Sequence, residues 1–348
     1  MADSPNPAGQ ATGAASTIVV QLPAPRPWST WTTRILLALL GLSVLANISM
    51  YSSFQEYFQA QTPPAESYHS GSKTSRDKLV ILSMTGTIMP PFTERLIKQI
   101  DKALEDDAVK GILLSIDSGG GFVADSHQIY ARLKKLSEKK PVFVQMKRMA
   151  ASGGYYIAMG AGTQGKIFAE PTTWTGSIGV IIPRYDVSEL ASKLGVASDP
   201  LKTGEFKDAL SPFHPLTENE KKLWENILNQ SFDQFLTVID DNRDTLTTEQ
   251  VRKLATGEVF TAKDAKQNGL IDEIGFEEEA LAALQKQLGL AEARVVTYHS
   301  QTGLIDLIVG SVQTRSAPAG LEPWQMLLES SVPRAYYLCS WWPAIPQS

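Results

Sequence analysis

The 348-residue chain has a single cysteine, Cys339, and only four histidines. One cysteine cannot form an intrachain disulfide or a cysteine-cluster zinc site. The histidines, at positions 69, 127, 214 and 299, are far apart and lack the His-Glu-x-x-His or His-x-His spacing of metal sites. We therefore expect no metal site and no cofactor.

Basic residues are too few for a typical nucleic-acid-binding protein. The chain has 32 Lys and Arg against 37 Asp and Glu, a formal net charge of −5. Nucleic-acid-binding domains usually carry a basic field, so we exclude nucleic acid as a partner. With 43% apolar and 20% charged residues, the composition is that of a globular protein, too apolar for a disordered chain.

Charge is absent from one long stretch near the N-terminus. The 21 residues from Ile35 to Gln55 carry no charge, and at 1.5 Å per residue they are just long enough to span a hydrocarbon core of about 30 Å. Arg26 and Arg34 precede the stretch and Glu56 follows it, which predicts a cytoplasmic N-terminus. A cleaved signal peptide is the alternative, but the polar stretch before Ile35 is long for one.

The remaining sequence divides around this stretch. We predict a disordered cytoplasmic tail over residues 1–33, a transmembrane anchor over 34–54 and a polar tether over 55–77. Residues 78–300 predict one folded domain. Charged residues interrupt the apolar stretches of residues 301–348, so a second membrane span is not expected there. We predict that this segment is an extension that packs on the core or on a neighbouring subunit.

Short apolar runs alternate with helical periodicity in the folded domain. Residues 79–82, 111–116 and 141–144 predict buried strands, and apolar residues at helical spacing lie between them. This alternation predicts an α/β domain with a mainly parallel sheet covered by helices. Thr217 and Glu220 predict a capping box at the start of a long helix.

A glycine-rich segment, Gly160–Lys166, partly matches nucleotide-binding motifs. Those motifs need a strand before them and a helix after them. Here the predicted order is reversed, with a helix before and a strand after. We therefore interpret the segment as a turn.

A serine between small residues, Ser152, directly follows the third predicted strand. At a strand-to-helix turn its hydroxyl is exposed at the sheet edge, and amides at the helix N-terminus can bind an oxyanion. The glycine run 119–121 ends a neighbouring strand and can turn an amide toward the same point. The two loops predict a nucleophile beside an oxyanion hole, with an N-cap serine and a tight turn as the structural alternatives.

A serine nucleophile needs a general base, and the sequence offers lysines and histidines. An ordinary lysine has a pKa near 10.4, so about one molecule in 2,500 is neutral at pH 7. Lowering that pKa by about three units requires about 4 kcal/mol, which apolar burial can supply. The residue pattern alone leaves Lys207, Lys202, His127 and His214 open.

Five segments, in the same order, resemble those of the signal peptide peptidases of the bacterial protease IV family in their short, single-domain form. The resemblance runs from about Lys78 to Gly275. The chain departs from the family at Gly119, where the family has proline, which makes the loop less restricted. It also has three extra residues between Ser152 and Ser177, near residues 162–164. The matching segments are 117–121 (Asp-Ser-Gly-Gly-Gly), 150–156 (Ala-Ala-Ser-Gly-Gly-Tyr-Tyr), 175–180 (Thr-Gly-Ser-Ile-Gly-Val), 204–213 (Gly-Glu-Phe-Lys-Asp to Ser-Pro-Phe) and 257–272.

The resemblance implies a Clp protease/crotonase-like fold of stacked ββα units and a Ser-Lys dyad. In it Ser152 is the nucleophile, Lys207 the general base and Ser177 the hydroxyl that orients the lysine. The amides of Gly121 and Gly153 form the oxyanion hole. Lys202 corresponds to a less important lysine of the family.

The resemblance also implies a location and partners. The expected protein is a serine endopeptidase anchored in the inner membrane by one span, with its catalytic domain outside the cytoplasm. Its expected substrates are remnant signal peptides and other unfolded apolar peptides. A homo-oligomeric ring is expected, in which a neighbouring subunit helps to complete each site.

Other functions remain open at this point. A Ser-His hydrolase or esterase would use His214 or His299 and would lose activity as the pH falls through about 6.5. A catalytically silent, membrane-anchored scaffold would keep the ring without turnover. A crotonase-like acyl-CoA enzyme would share the fold but would not need an anchor.

Overall fold

The computed structural model describes residues 31–44, 46–47, 64–299 and 335–339. The chain forms two compact units, Met1–Phe58 and Gln59–Ser348. The first contains a helix, α1, over residues 31–44 and 46–47, and its leucine side chains are exposed. No helix within the described ranges is both long enough and apolar enough to cross a membrane. Much of the predicted anchor, residues 45 and 48–54, lies outside the described residues.

The second unit contains eleven strands and eight further helices within its described residues. The strands are β1 (Ala65–Gly71), β2 (Lys78–Thr85), β3 (Val109–Ser118), β4 (Gly120–Phe122), β5 (Val142–Ala151), β6 (Ile167–Ala169), β7 (Trp174–Gly176), β8 (Val259–Thr261), β9 (Glu273–Ile274), β10 (Arg294–His299) and β11 (Tyr336–Leu338). The helices are α2 (Phe92–Glu105), α3 (Val123–Ser137), α4 (Gly153–Ala158), α5 (Ser188–Lys193), α6 (Glu218–Asp240), α7 (Thr248–Leu254), α8 (Ala262–Gln267) and α9 (Glu277–Gln287).

Nine of these strands form one mixed sheet in the order β1-β10-β2-β3-β5-β6-β9, with β7 joined to β5 and β8 joined to β7. Pairing is parallel from β10 across to β9 and between β5 and β7, and antiparallel where β1 meets β10 and β8 meets β7. The predicted mainly parallel sheet is therefore confirmed. Strands β4 and β11 form a separate antiparallel pair.

The two faces of the sheet bury alternate residues of the same strand, as the period of two in a strand requires. In β2, Leu79 and Ile81 pack in a cluster with Leu284 of α9. Val80 and Leu82 pack in the larger cluster that includes the apolar faces of α2 and α3. Because both faces are covered, the strand reads as a continuous apolar run.

The first strand changes the predicted boundary of the tether. Residues 55–77 are predicted as tether, but Ala65–Gly71 form β1, with Ala65 opposite His299 of β10. A 2.7 Å hydrogen bond joins the hydroxyls of Ser67 and Thr297. As an edge strand with mostly partly or fully exposed residues, β1 lacks the apolar alternation that marks a strand in sequence.

Gly160–Lys166 forms the predicted turn. A short 3-10 helix ends at Ala161, Gly162 has a φ of 68°, and β6 begins at Ile167. The order is helix, turn, strand, the reverse of a nucleotide-binding loop.

Both ends of helix α6 are fixed by polar side chains. At its start, Thr217 and Glu220 form the predicted capping box. Just beyond its end, Arg243 is 7% exposed and donates hydrogen bonds to the Gly269 carbonyl and the Asp272 carboxylate. These bonds join α6 to the loop before β9.

Replacing Arg243 with Met should lower the free energy of unfolding by about 3–5 kcal/mol, because Asp272 and the Gly269 carbonyl lose their partner in a mostly buried place. Denaturant unfolding of the purified chain measures this. Arg252→Met is the matched control and should cost about 0–1 kcal/mol, because its partner Asp233 is 60% exposed. Equal losses in the two variants would contradict the role of Arg243.

Candidate active site

Two neighbouring parallel strands, β3 and β5, end at the candidate site. Near these ends Ser118 pairs with Ala150, after a register irregularity. Arg148 of β5 donates from Nε to the Asp117 carboxylate of β3 at 2.6 Å, a bond that raises the pKa of Arg148. Because parallel strands end at the same edge of a sheet, the loops that follow β3 and β5 meet there.

Ser152 occupies a strained turn between β5 and α4. Its φ is 53° and its ψ is −114°, a conformation that L-residues rarely adopt. Its amide donates to the Gly176 carbonyl at 2.7 Å, and its carbonyl accepts from the Tyr156 amide at 2.9 Å. The predicted strand-to-helix turn is confirmed, but the expected exposure of the hydroxyl is wrong, because Ser152 is only 1% exposed. Hydrogen bonds on both sides hold this strained residue in place.

Ser177 lies beside Ser152 at the end of the neighbouring strand. It is the one other non-glycine residue with a positive φ, 49°, among the described residues. Gly176 precedes it and pairs with Ala151 in the β5–β7 ladder, so the two serines leave the sheet on adjacent strands. Strained backbone clusters at functional sites, and these are the two serines that the family resemblance nominated.

The glycine loop packs directly against the Ser152 turn. Gly120 has a φ of 106°, and a Cβ placed there would lie 2.8 Å from the Gly153 nitrogen. A Cβ on Gly153 would lie 3.1 Å from the Gly120 Cα and 2.6 Å from Ser126 Oγ. Neither position has room for a side chain. The Gly153 amide therefore lies next to the glycine loop, before the first hydrogen bond of α4.

The outer edge of the glycine loop is paired with β11. Tyr337 lies opposite Gly121 in this antiparallel ladder. The flanking bonds run from the Val123 amide to the Ala335 carbonyl and from the Cys339 amide to the Gly119 carbonyl. By alternation, Tyr337 and Gly121 form a hydrogen-bonded pair, in which the Gly121 amide donates to the Tyr337 carbonyl. The amide nominated for the oxyanion hole is thus engaged by β11 in this conformation.

The other edge of β11 is hydrogen-bonded as well. Tyr336 and Ile181 exchange backbone hydrogen bonds of 2.9 and 3.0 Å. Further along, the Cys339 side chain is buried with those of Met149 and Ala151, the residue before Ser152. We call the groove between β4 and Ile181 the β11 cleft. The cleft holds β11, an extended segment of the same chain that leads toward Ser152.

A side-chain pocket adds to this backbone pairing. The Tyr337 ring lies 4.9 Å from that of Tyr156 and 4.7 Å from that of Phe235, and its hydroxyl donates to the Ser231 carbonyl at 2.8 Å. His127 borders the pocket, with Nδ1 2.7 Å from the Tyr156 hydroxyl. Backbone pairing with pockets for alternate side chains is how proteins bind peptides by strand addition.

Lys207 does not join this group within the single chain. Its side chain is exposed, and its Nζ makes no hydrogen bond or ion pair within the part of the chain that the structure describes. Lys202 instead donates to the Asp208 carboxylate at 2.7 Å, which raises the pKa of Lys202. The structure therefore assembles Ser152, Ser177 and the glycine loop, but not the nominated base.

The two histidines of the Ser-His alternative are placed elsewhere. The ring nitrogens of His214 lie 2.8 Å from the Pro215 carbonyl and 3.0 Å from the Asp208 carbonyl. Both nitrogens must donate to make these bonds, which leaves no lone pair to accept a proton. His299 pairs with Ala65 of the edge strand β1. The structure thus gives no support to His214 or His299 as the base.

Two features of this site were not predicted from the sequence. Gly120, rather than Gly121, makes the close approach to Gly153. Its signal was the run of three glycines, which does not show which one carries the contact. Tyr337 fills the aromatic pocket, and the aromatic pair at 336–337 was its only signal.

Comparison with known proteins identifies the family. Residues 134–291 match the family model described as peptidase family S49, and residues 66–175 match that described as Clp protease. The chain is 38% identical to an Enterococcus faecium protein named "Putative signal peptide peptidase SppA", over 66% of this chain and 69% of that protein. It is 31% identical to "Serine protease SPPA, chloroplastic" of Arabidopsis thaliana, over 69% of this chain and 37% of that protein. It is 35% identical to "Protease 4" of Salmonella typhi, over 62% and 34%.

The fold and these likenesses define a serine peptidase with a Clp protease-like α/β fold. The chain belongs to peptidase family S49, which confirms the expected family and peptidase activity, and the expected Clp protease-like α/β fold is confirmed as well. The roles of individual residues, the anchor and the assembly stay predictions.

Replacing Gly153 with Ala should lower kcat/KM by about 100-fold, because a Cβ forces the Ser152 turn away from the glycine loop and misplaces the reacting groups. A peptide-cleavage assay measures this, with circular dichroism to verify folding. Gly41→Ala is the control, since nothing lies within 4 Å of a Cβ there, and it should keep full activity. A folded Gly153→Ala variant with wild-type activity would show that the close contact is not needed.

Proposed function

We propose that this peptidase cleaves extended peptides bound in the β11 cleft, with Ser152 as nucleophile and Lys207 as general base. One observation carries the proposal. The strained Ser152 turn and the glycine loop lie beside a cleft that already holds a peptide strand by backbone hydrogen bonds on both edges. A substrate that displaces β11 would take up the same pairing.

The reaction we propose is acyl transfer. The neutral Lys207 amine takes the Ser152 proton while Oγ bonds to the peptide carbonyl carbon, and the Ser177 hydroxyl orients that amine. Amides of Gly153 and Gly121 bind the oxyanion, the latter once β11 has left. The Lys207 ammonium then protonates the departing amine as the C–N bond breaks. Water, deprotonated by Lys207, hydrolyses the ester and releases Ser152.

A homo-oligomeric ring would complete the site. A lysine acts as a base only as the neutral amine, and removal from water favours that form. Lys207 is exposed in the single chain, so another surface must cover it. The segment between Ser177 and Lys207 also exposes large apolar side chains, which a neighbouring copy would bury. They are Tyr185, Leu190, Leu194, Val196 and Leu201.

We further propose that residues 34–54 anchor the protein in the inner membrane with the N-terminus in the cytoplasm. The uncharged stretch, its positive N-terminal flank and the exposed leucines of α1 support this. The peptidase unit would then lie outside the cytoplasm.

Remnant signal peptides and other unfolded apolar peptides are the substrates that we propose. The β11 cleft pairs with backbone and buries apolar side chains, so it suits extended apolar chains and excludes folded ones. The name of the Enterococcus faecium relative agrees with this class.

Ser152→Ala and Lys207→Met should each lower peptidase activity by about 1,000-fold or more, because the nucleophile and its base act as one unit. Cleavage of a fluorogenic apolar peptide in detergent measures this, and mass spectrometry after an acylating inhibitor should find the adduct on Ser152. Lys253→Met is the matched control and should keep full activity, since its side chain is 73% exposed and its ion-pair partner Glu249 is 79% exposed. Full activity in both site variants would refute the assignment.

Removing residues 335–348 should lower KM for a short peptide and leave kcat unchanged, because β11 competes with substrate for the cleft and takes no part in the reaction. Steady-state kinetics measure this. A synthetic Ala-Tyr-Tyr-Leu-Cys peptide should inhibit the truncated enzyme competitively, whereas the same residues in scrambled order should not. An unchanged KM in a folded, inhibitor-labelled truncated enzyme would rule out this competition.

A further inference from the structure

His214 lies beside the turn that carries Lys207, and its ring bonds to the carbonyl of the residue that follows that lysine. Its Nε2 lies 3.0 Å from the carbonyl oxygen of Asp208, the residue after Lys207, and its Nδ1 lies 2.8 Å from the Pro215 carbonyl oxygen. Carbonyl oxygens only accept, so both bonds exist only when both ring nitrogens carry protons. The geometry is that of an imidazolium ion.

The acidic groups around the ring favour this charged form. The Asp208 carboxylate lies 3.6 Å from Nε2, and carboxylate oxygens of Asp208 and Glu220 lie within 4.8 Å of the ring nitrogen and of one another. Asp186 also interacts electrostatically with the ring. The hydrogen bond to Pro215 above all, then that to Asp208 and the two nearby carboxylates, raise the pKa of His214.

The cationic groups nearby are engaged with other partners. Lys202 donates to the Asp208 carboxylate at 2.7 Å, which lowers the pKa of Asp208. Arg184 donates to the backbone carbonyls of Ser211 and His214 itself. Arg184 and the His214 ring therefore bind different carbonyls of the same loop.

Loss of one ring proton removes one of the two bonds, because a bare nitrogen then faces a carbonyl oxygen. The hydrogen bonds within the Lys207 turn are long, 3.2 Å from the Lys207 amide to the Gly204 carbonyl and 3.3 Å from the Ala209 amide to the Phe206 carbonyl. The Asp208 carbonyl also accepts from the Ser211 amide at 2.8 Å. The His214 ring is thus a second restraint on the Lys207 turn, which it ties to the Pro215 carbonyl, and loss of either ring bond breaks that tie.

We propose that His214 is a positioning residue for Lys207, whose doubly protonated ring fixes the Lys207 turn and whose deprotonation loosens it. The inference rests on the proposed role of Lys207 as the base. His214 has a raised pKa in the folded chain, so its restraint is complete below the ordinary value of about 6.5 and is lost as the pH rises through the raised value. Rising pH therefore weakens the placement of Lys207.

The test compares kcat/KM for one peptide in three variants from about pH 5.5 to about pH 9. His214→Gln removes the charge, and His214→Arg keeps a charged donor group at every pH. His69→Gln is the matched control, in the edge strand β1. Dividing each value by the wild-type value at the same pH cancels every pH effect that all four proteins share.

The His214→Gln enzyme should be about tenfold less active than wild type at the acidic end, the loss expected for one charged hydrogen bond. It should converge on wild type at the alkaline end, where His214 is neutral. The His214→Arg enzyme should match wild type at low pH and exceed it at high pH. The His69→Gln ratio should stay near one throughout.

A His214→Gln ratio that is the same at every pH would overturn the inference, because a purely structural loss does not titrate. The Lys207→Met variant in the same series separates the two proposals. If it retains activity, the proposed function fails. If it is inactive while the His214→Gln ratio is the same at every pH, only the role of His214 fails.

A second measurement uses the wild-type protein, so folding defects in the variants cannot affect it. NMR follows the titration of the His214 ring. It should give a pKa above about 6.5, and a lower value would contradict the proposal.

Discussion

The close contact between the glycine loop and the Ser152 turn is the constraint on which the site depends. Gly120 and Gly153 approach so closely that neither can carry a Cβ, and the β3–β5 pairing and the Arg148–Asp117 ion pair hold the two strand ends together. The positive φ of Ser152 is tolerated because hydrogen bonds on both sides fix its backbone.

The same contact shapes the place where a peptide binds. The glycine loop keeps one edge unprotected by side chains, and Ile181 supplies a second edge across the groove, so an extended strand can pair on both sides. In this conformation β11 fills the groove and takes the Gly121 amide. Peptide binding and access to the oxyanion hole are thereby linked, since what pairs with β4 decides which carbonyl that amide meets.

Local patterns predicted the parts of the fold that local patterns determine. The buried run in β3, the capping box at Thr217 and the turn after β5 each carry their own signal, and each is present. The edge strand β1 and the short β11 carry none, because their partners lie more than 200 residues away and decide their conformation. The family resemblance nominated Ser152 and Ser177, but no local rule could show that Gly120 makes the close contact.

The proposed catalysis requires the Lys207 amine to reach the Ser152 hydroxyl. An experimental structure of the assembled protein measures this most directly, through the distance between Lys207 Nζ and Ser152 Oγ within one chain and across each subunit contact. We expect a distance of about 2.6–3.2 Å in one of these pairings. Separation of the two atoms beyond hydrogen-bond reach in every pairing, with the assembly intact and active, would contradict it.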